Sequence, residues 1–372
     1  MKSRSDIKIF IVGGGEIGRS LAGQLSRDGY ELTLIDRNQD VVKSLSNSFD
    51  IICFEGNGAS YTTLQELSAG KADIWIAVTE SDELNILSCM TAHMMGAKHT
   101  IARIRDVDYA RQNHFYKDKL GLSMIINPEL ATALEIFRLL RFPLATRVET
   151  FARGRAELVQ INVRNESPLI GHSLIEMNQD MGINLLICAI VRDGEAFVPK
   201  GNTVISRGDI LYMTGAADEF RKSFKKIKLP VKPLQSVMIA GGGRIAYYLA
   251  EAVLEQGAKV TLIEKNKVMA TELSEAVEGI NVVCDDALAY FDSMSQSDIE
   301  NTDAFITITD NDEYNLVAAM YGESQGISKV ISRIAAKSRL KVLPEGSKIC
   351  TISREDVAAD RILGSRRPSG LK

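Results

Sequence analysis

The chain has 372 residues, of which 45% are hydrophobic and 25% charged, and its formal net charge is −4. This length is too great for one ordinary core, so the sequence predicts several domains of a globular protein. The acidic balance argues against nucleic acid as a partner, because that partner needs a basic field, and no apolar run reaches the roughly 18 residues of a membrane span. The scattered cysteines and histidines show no metal-ligand spacing, so no metal site is predicted.

A glycine-rich turn near the N-terminus is the first element with a recognisable chemistry. The apolar run Ile9–Val12 leads into Gly13, Gly15 and Gly18, which fit G-x-G-x-x-G. In such a turn the first glycine permits the bend, the second lets backbone approach a phosphate, and the third lets helix and strand pack closely. A second apolar run ends on Asp36, about 20 residues beyond the glycines, where a carboxylate can accept hydrogen bonds from ribose hydroxyls. The pattern predicts an adenine nucleotide or dinucleotide site; a structural turn in an empty Rossmann-like fold is the alternative.

Strands and helices alternate after this turn. Strands are predicted at 51–54, 74–78 and 98–104, and helices at 61–67 and 79–96. The second of these helices is expected to bury Leu84, Leu87, Cys89, Thr91 and Met94, whereas the single tryptophan, Trp75, is expected in the core of a strand. Strands that alternate with helices of this length predict a parallel sheet covered on both faces.

The same order of parts returns in the second half of the chain. The landmarks that align, at offsets of 228 to 230 positions, are Gly13 with Gly241, Gly15 with Gly243, Asp36 with Glu264, Thr79 with Thr309, Asn85 with Asn315 and Arg103 with Arg333. Such nearly constant offsets predict a tandem duplication. The predicted fold class is therefore α/β, with tandem Rossmann-like parallel-sheet domains separated by a small α+β module.

The segment 156–227 between the two copies has a different pattern. Its strands are predicted at 157–163, 184–191, 196–198 and 210–213, and its helices at 173–177 and 218–226. Arg192-Asp193-Gly194-Glu195 is a hairpin signal. The prolines of 229–233 predict a linker. A helix around 136–140 is expected to bridge the first sheet to this module, with 351–364 as its counterpart in the second copy.

This order of parts resembles the RCK family, the regulators of potassium conductance, and in particular the regulatory subunits of Trk-type potassium uptake systems. The resemblance covers nearly the whole chain. It implies an RCK N-type nucleotide-binding domain with its bridging helix at 1–143, a TrkA-C-type α+β module at 144–229, and a second N-type domain with bridging helix and tail at 230–372. The last C-terminal module of the family pattern is expected to be missing.

The resemblance also implies a function. The expected protein is a non-enzymatic cytoplasmic subunit, peripheral on the inner face of the cell membrane and assembled as a homotetramer. It is expected to gate a TrkH-like potassium channel or transporter in response to NAD(H) and to ATP or ADP.

The resemblance implies a nucleotide site at the carboxyl ends of the strands in each copy, where ligands bind in open α/β sheets. The first site comprises Gly13, Gly15, Glu16, Ile17, Gly18, Asp36, Arg37, Asn57, Gly58, Ala59, Thr79 and Arg103. The second comprises Gly241, Gly243, Arg244, Ile245, Ala246, Glu264, Lys265, Asp285, Asp286, Ala287, Thr309 and Arg333.

The two copies differ at the start of the helix that follows the glycines. Arg244 takes the place of Glu16, and Ala246 takes the place of the third glycine, which the G-x-x-G/A form allows. A cation there favours a polyphosphate, whereas Glu16 disfavours an extra phosphate. The sequence therefore predicts NAD(H) in the first site and ATP, ADP or NAD(H) in the second. A degenerate second copy without ligand is the alternative.

A NAD-dependent oxidoreductase is the main alternative function, since it uses the same cofactor fold. Hydride transfer also needs a proton donor or acceptor beside a substrate pocket. The sequence shows no Tyr-x-x-x-Lys pair beside a serine and no paired His and carboxylate in a separate substrate domain, which favours a sensor. A scaffold that binds no ligand is the third alternative.

Overall fold

The structure, a computed structural model, describes residues 6–106, 109, 113–142, 144–151, 156–165, 167–226, 234–344 and 347–364. These residues form two compact units. The first contains the chain through Thr132 together with the chain from Ser353 onward, and the second contains Ala133–Ile352.

The first unit is built on a six-stranded parallel sheet. Its strands are β1 (Lys8–Val12), β2 (Glu31–Asp36), β3 (Ile52–Glu55), β4 (Ile74–Ala77), β5 (His99–Arg103) and β6 (Met124–Ile126). The helices are α1 (Glu16–Arg27), α2 (Gln39–Ser48), α3 (Tyr61–Glu66), α4 (Asp82–Met95), α5 (Asn113–Leu120) and α6 (Pro128–Arg141), the last of which continues into the second unit. The strand order β3-β2-β1-β4-β5-β6 changes direction between β1 and β4, so the carboxyl ends of these two strands flank the crevice where this architecture binds ligands.

Alternation along β1 divides the core of this unit between the two faces of the sheet. Ile9 and Ile11 lie in one buried cluster with residues of α1, whereas Phe10 and Val12 lie in the other. Trp75 is fully buried in the second cluster and stacks on Phe10 with ring centroids 5.2 Å apart. The predicted core position of the tryptophan is therefore confirmed, and the sheet is covered on both faces, as the alternation of strands and helices predicts.

Helix α4 buries only one of the five positions predicted from its sequence, Cys89, whereas Leu84 and Thr91 are partly exposed. Leu87 is 52% exposed and Met94 is 84% exposed, so the prediction of their burial is wrong. The buried positions are Asp82, Asn85, Ser88, Cys89 and Ala92. This face packs toward the sheet because its small and polar side chains allow a close approach and find hydrogen-bond partners there.

The second unit contains an antiparallel sheet with the strand order β10-β9-β11-β8-β7. Its strands are β7 (Ala145–Phe151), β8 (Ala156–Asn162), β9 (Leu186–Arg192), β10 (Glu195–Phe197) and β11 (Ile210–Gly215), and its helices are α7 (Leu174–Gln179) and α8 (Ala217–Lys226). The predicted hairpin is confirmed, because Asp193 and Gly194 have φ of 51° and 83°, as a type I′ turn requires. Strand β7 is not predicted by the sequence pattern, since Arg147 and Glu149 interrupt its apolar positions.

A second parallel sheet, in the order β14-β13-β12-β15-β16-β17, completes this unit. Its strands are β12 (Ser236–Ala240), β13 (Lys259–Ile263), β14 (Asn281–Val283), β15 (Ala304–Thr307), β16 (Lys329–Arg333) and β17 (Cys350–Ile352). Its helices are α9 (Arg244–Leu254), α10 (Lys267–Ala276), α11 (Ala287–Ser293), α12 (Gln296–Glu300) and α13 (Asp312–Ser324). Short 3-10 turns occur at Ala69–Lys71 and Lys337–Val342. Two Rossmann-like sheets separated in the chain by an antiparallel module confirm the predicted fold class.

The last helix, α14 (Arg354–Gly364), follows β17 in the chain but packs in the first unit. Ala358, Ala359 and Ile362 are fully buried in the cluster that contains residues of α1. The apolar stripe of α14 therefore finds its partner on the first sheet domain and not on the second copy, with which it was grouped from the sequence. The predicted boundaries at 143–144 and 229–230 and the linker 229–233 include residues outside the described part of the chain, and these boundaries stay a prediction.

Candidate nucleotide sites

Three glycines shape the loop between β1 and α1. Gly13 has a φ of +101°, which residues with a side chain rarely adopt. A Cβ on Gly18 would lie 1.9 Å from the carbonyl oxygen of Gly13, so the helix approaches the loop as closely as the backbone permits. A Cβ on Gly15 would meet nothing within 4 Å, and Gly15 directly precedes α1. The loop thus leaves the N-terminus of α1 open beside Gly15, where backbone N–H groups can receive a phosphate.

The loop between β12 and α9 repeats this geometry. Gly241 has a φ of +109°, and a Cβ on Gly243 would again meet nothing within 4 Å. Ala246 is fully buried at the position that corresponds to Gly18. The second loop therefore holds a methyl group where the first has no room for one.

The residues at the start of each helix face in different directions. Glu16 and Arg244 are exposed, so their charges lie at the open end of the loop. The side chains of Ile17 and Ile245 are buried in the core, which limits any contact of these two residues with a ligand to their backbone.

An acid at the end of the second strand of each sheet holds the loop. Oδ2 of Asp36 accepts a hydrogen bond of 2.6 Å from the N–H of Gly14, and Oδ1 accepts one of 2.8 Å from Asn38. Glu264 accepts bonds of 2.7 Å from the N–H groups of Gly242 and Asn266 in the same way. A carboxylate oxygen with one such bond can still accept another, so both acids can bind a ribose hydroxyl. We call Gly13–Gly18 with Asp36 the first cradle, and Gly241–Ala246 with Glu264 the second cradle.

The loop after β3 borders the first cradle. Oδ1 of Asn57 accepts a hydrogen bond of 3.0 Å from the N–H of Ala59. A Cβ on Gly58 would lie 2.2 Å from Cγ1 of Val12, so only glycine fits beside this strand. The carbonyl of Gly58 accepts a 2.6 Å bond from Ser88, whose oxygen accepts a 2.9 Å bond from Nε1 of Trp75. The buried tryptophan is therefore linked to the first cradle's border through one hydroxyl group. Arg37, after Asp36, is exposed.

The corresponding loop of the second copy is built differently. Ala287 stands where the first copy has Gly58, and Ala240 replaces Val12, which makes room for the extra methyl group. Asp286 caps α11 by accepting a 2.9 Å bond from the N–H of Leu288. Asp285 is exposed and accepts a 2.7 Å bond from the N–H of Asp286.

A tyrosine supports this second loop. The hydroxyl of Tyr314 donates to Oδ1 of Asp286 at 2.9 Å and accepts a 3.1 Å bond from the N–H of Ala287. Burial, with a further contribution from Asp286, raises the pKa of Tyr314 to about 12. Nζ of Lys265 lies 5.4 Å from the centre of the Tyr314 ring, a cation–π distance. The second copy thus has the ring of Tyr314, with Lys265 and Asp286 beside it, where the first copy has Leu84. The alignment of the two copies in the sequence did not reveal these contacts.

A buried asparagine joins the ends of β4 and β5. Oδ1 of Asn85 accepts bonds from the N–H and the hydroxyl of Thr79 at 2.8 and 2.7 Å. Its Nδ2 donates to the carbonyls of Thr79 and Arg103 at 3.1 and 2.9 Å. A Cβ on Gly13 would lie 3.0 Å from the nitrogen of Thr79, so Thr79 packs directly against the glycine loop. Because Asn85 holds Thr79, it also positions the residue that this loop contacts.

Asn315 makes the same four bonds to Thr309 and Arg333, at 2.7 to 3.0 Å. The recurrence of Asn85 as Asn315 was visible in the sequence, but the role of this pair was not. Local spacing cannot show that one side chain satisfies the ends of two strands.

Arginines at the ends of β5 and β16 lie at the same edge of their sheets. Only 8% of the Arg103 side chain is exposed, and its Nη2 donates to Oε1 of Glu129 at 3.1 Å. Burial lowers the pKa of the Arg103 guanidinium while Glu129 opposes this effect, and an arginine remains charged near neutral pH. Arg333 donates to the carbonyl of Thr309 at 3.0 Å and to Asp310 at 3.1 Å. Nε of each arginine is buried and has no hydrogen-bond partner within the described residues.

An acid in the first turn of α4, and one in the first turn of α13, fixes the chain beyond the arginine. Oδ2 of Asp312 accepts bonds of 2.9 and 3.0 Å from the N–H groups of Ala335 and Ala336 and one of 2.6 Å from Arg339. Burial opposes ionisation, but these donors prevail and hold the pKa of the Asp312 carboxyl below its usual value. Asp82 accepts two equivalent backbone bonds in the first copy.

Arg354, the first residue of α14, reaches the start of α1. Its Nη2 donates to Oε2 of Glu16 at 2.8 Å. This arginine was not among the predicted site residues. The two positions are 338 residues apart, and only the packing of α14 brings them together.

The structure shows no group of three or more histidine, cysteine, aspartate or glutamate side chains suited to a metal ion in the part of the chain that it describes. Within those same ranges, no helix has the length and apolar character needed to cross a membrane.

Comparisons with known proteins agree with this architecture. The family model of the TrkA-N domain matches residues 9–128 and 237–351, and that of the TrkA-C domain matches residues 158–228. The Trk system potassium uptake protein TrkA of Vibrio alginolyticus is 31% identical over 361 residues, which cover 96% of this chain and 78% of that protein.

Solved structures share the fold over nearly the whole chain. The GsuK channel bound to NAD aligns with a TM-score of 0.70 and 19% identity over 98% of this chain, which spans 64% of the GsuK chain. GsuK bound to ADP aligns with a TM-score of 0.58 and 15% identity over 96% of this chain and 68% of that chain. At these identities the likeness shows the fold alone.

Proposed function

Because the chain belongs to the TrkA family of Trk system potassium uptake proteins, as its resemblance to RCK proteins predicts, we propose that it is a regulatory subunit that senses nucleotides and gates a membrane potassium channel or transporter. One observation supports this function best. In each parallel sheet an open glycine loop follows the first strand, and the acid of the neighbouring strand accepts a hydrogen bond from this loop, at 2.6 Å from the N–H of Gly14 in the first cradle and at 2.7 Å from the N–H of Gly242 in the second. Two such cradles in one chain suit a protein that compares nucleotide levels, since a sensor needs only different affinities in two conformations.

The two cradles are proposed to bind different nucleotides. The first has Glu16 at the start of its helix, and Arg354 compensates its charge, so no net positive charge favours a polyphosphate there and NAD(H) is the proposed ligand. The second has the exposed Arg244 at this place, which favours the larger charge of ATP or ADP, although NAD(H) also fits the acid and the glycines. GsuK, bound to NAD in one structure and ADP in another, provides a precedent for both kinds of ligand in this fold.

The protein is proposed to bind these nucleotides without converting a metabolite. The hydroxyls of Thr79 and Thr309, next to the loops, both donate to buried asparagines and are thus committed to the scaffold. The oxidoreductase alternative requires a proton donor beside the bound nicotinamide. Around the first cradle, Glu16 and Arg103 are in ion pairs and Asp36 accepts backbone hydrogen bonds, so these side chains already have structural partners.

Membership of the family supports a proposal for the partner and the assembly. We propose a peripheral position on the inner face of the cell membrane, a TrkH-like membrane subunit as partner, and a homotetramer as the assembly. Vesicles that contain such a subunit, loaded with potassium, would show nucleotide-dependent ion flux only when this chain is added.

Nucleotide titration of the full chain tests the sensor proposal. Trp75 is the single tryptophan and is linked through Ser88 to the border of the first cradle, so its fluorescence reports on that cradle, while calorimetry counts both sites. Saturable binding of NADH, ATP or ADP is expected, with no steady loss of NADH absorbance in the presence of carbonyl substrates. Asp36→Asn and Glu264→Gln form a matched pair, each expected to weaken binding at its own cradle. Indifference to every adenine nucleotide, or consumption of NADH with a substrate, would overturn the proposal.

A further inference from the structure

The charge at the start of α1 depends on a residue near the other end of the chain. Arg354 Nη2 lies 2.8 Å from Glu16 Oε2 and 3.0 Å from Oε1 of Glu355, and its Nη1 lies 3.5 Å from Oε1 of Glu129. Glu129 and Glu355 are buried, whereas the side chain of Glu16 is 62% exposed at the open end of the first cradle. One guanidinium thus contacts three carboxylates, and one of these is the acid beside the predicted phosphate position.

Packing holds this arginine in place independently of the ion pairs. Ala358, Ala359 and Ile362 of α14 are fully buried in the cluster that contains α1. The hydroxyl of Ser20 in α1 also donates to Oδ1 of Asp356 at 3.3 Å. Since this packing fixes the position of the first turn of α14 next to α1, the guanidinium of Arg354 is already in place before a ligand binds.

The pair changes the charge that a ligand meets. Glu16 by itself would repel a phosphate, but the guanidinium of Arg354 compensates this charge at hydrogen-bond distance. Burial lowers the pKa of Arg354, but the carboxylates of Glu355, Glu129 and Glu16 outweigh burial and raise it, so the compensating charge is permanent. In the second cradle Arg244 supplies a cation from α9 itself, and the first cradle obtains its cation from α14.

We propose that Arg354 determines how much phosphate charge the first cradle accepts. This inference rests on the proposed function of the first cradle as a nucleotide site. With Arg354 present, Glu16 is neutralised and both dinucleotides and nucleoside polyphosphates can approach the start of α1. Without it, Glu16 discriminates against the more highly charged ATP. Because linkage is reciprocal, a bound nucleotide must also stabilise the docking of α14.

A double-mutant cycle on Glu16 and Arg354 in the full chain tests this role. The measured quantity is the ratio of ATP to NADH affinity at the first cradle, read from Trp75 fluorescence. Arg354→Gln is expected to lower the ATP affinity by about tenfold and the NADH affinity less, because an unpaired carboxylate near the phosphates acts on each additional ligand charge. Glu16→Gln is expected to raise the ATP affinity. The double variant is expected to return the ratio to near the wild-type value.

Two further variants separate charge from folding. Arg354→Lys keeps the charge and is expected to retain most of the ATP affinity. Ile362→Ala loosens α14 without changing any charge; it is expected to lower the melting temperature and leave the affinity ratio of the folded protein unchanged. Hydrogen exchange of the 354–364 amides is expected to slow when NADH binds to the wild type and to slow less in Arg354→Gln.

The outcomes distinguish this inference from the proposed function. If the wild type binds neither ATP nor NADH, the proposed function fails and the inference with it. If the wild type binds both and Arg354→Gln has an unchanged affinity ratio, only the inference is overturned. The inference also fails if Ile362→Ala shifts the ratio as strongly as Arg354→Gln, because helix packing alone would then explain the effect. Glu16→Gln changes an exposed residue and keeps the Arg354 cation, so an unchanged ratio of ATP to NADH affinity in this variant overturns the inference even if Arg354→Gln does not fold.

Discussion

Removing the side chain of Asn85 is expected to destabilise the first parallel sheet strongly. Its carboxamide makes four hydrogen bonds, at 2.7 to 3.1 Å, to Thr79 and Arg103, and Asn85 is fully buried. Asn85→Ala removes all four and leaves buried backbone groups without these partners. At about 1 kcal/mol for each lost bond, the free energy of unfolding should fall by about 4 kcal/mol, a large part of the stability of an ordinary domain.

Urea unfolding followed by Trp75 fluorescence measures this loss in the sheet that contains Asn85. With an m value of about 2–3 kcal/mol/M, the midpoint should fall by about 1–2 M. Thr79→Val is the control, because it removes only one of the four bonds to Asn85, at 2.7 Å, with two longer bonds of 3.3 Å to Ser81, and should cost less than Asn85→Ala. Asn315→Ala tests the same four bonds in the second copy by calorimetry. A loss below about 1 kcal/mol in Asn85→Ala would refute the reasoning that these bonds hold the ends of β4 and β5 together.

Three further outcomes are expected. Gly18→Ala should abolish binding at the first cradle and lower the free energy of unfolding by about 1–3 kcal/mol, because its methyl group would lie 1.9 Å from a carbonyl oxygen. Ala246→Gly should lower the free energy of unfolding by about 1 kcal/mol and preserve binding at the second cradle. Calorimetric stoichiometry and thermal melts check both variants. Asp312 has a lowered pKa in the folded state, so the stability that it contributes is present above the unfolded pKa of about 3.9 and is lost as the pH falls through the folded pKa. Asp312→Asn should therefore be less stable than wild type at neutral pH and should lose less stability on acidification. Urea midpoints from pH 7 to 3 measure both effects. Tyr314, with a pKa raised to about 12, should contribute stability that is fully present below about pH 10 and is lost as the pH rises through 12. The difference in phenolate absorbance between wild type and Tyr314→Phe should titrate with a midpoint near pH 12. A midpoint near pH 10 would contradict the burial of the Tyr314 hydroxyl.

The glycine loops and their acids could be predicted from the sequence because their geometry is local. Gly13 adopts a positive φ and Gly18 touches the Gly13 carbonyl, constraints that act within six consecutive residues and therefore leave a motif. Asp36 lies at the end of the adjacent strand, where the alternation of β2 places it beside the loop. The repeat could be recognised for the same reason, since two copies of a local pattern align at a constant offset.

The buried face of α4 could not be predicted in this way. Hydrophobicity at helical spacing favours burying Leu87 and Met94, but both are exposed, and the buried stripe contains Asn85 and Ser88. Polar side chains are buried there because strand ends and the Gly58 carbonyl offer them hydrogen bonds. Those partners are known only once the sheet is assembled.

The sequence by itself determined the duplicated α/β architecture, the antiparallel module between the copies and the two candidate phosphate loops, because backbone conformation and residue periodicity encode all three over short distances. Only the tertiary structure decided that α14 packs on the first sheet domain and that its Arg354 compensates the charge of Glu16. An ion pair between residues 338 positions apart has no periodicity and no motif. The sequence reveals the apolar face of α14, but such a face can be buried on more than one surface. The packing of α14 against α1 selects this surface and thereby brings Arg354 to Glu16.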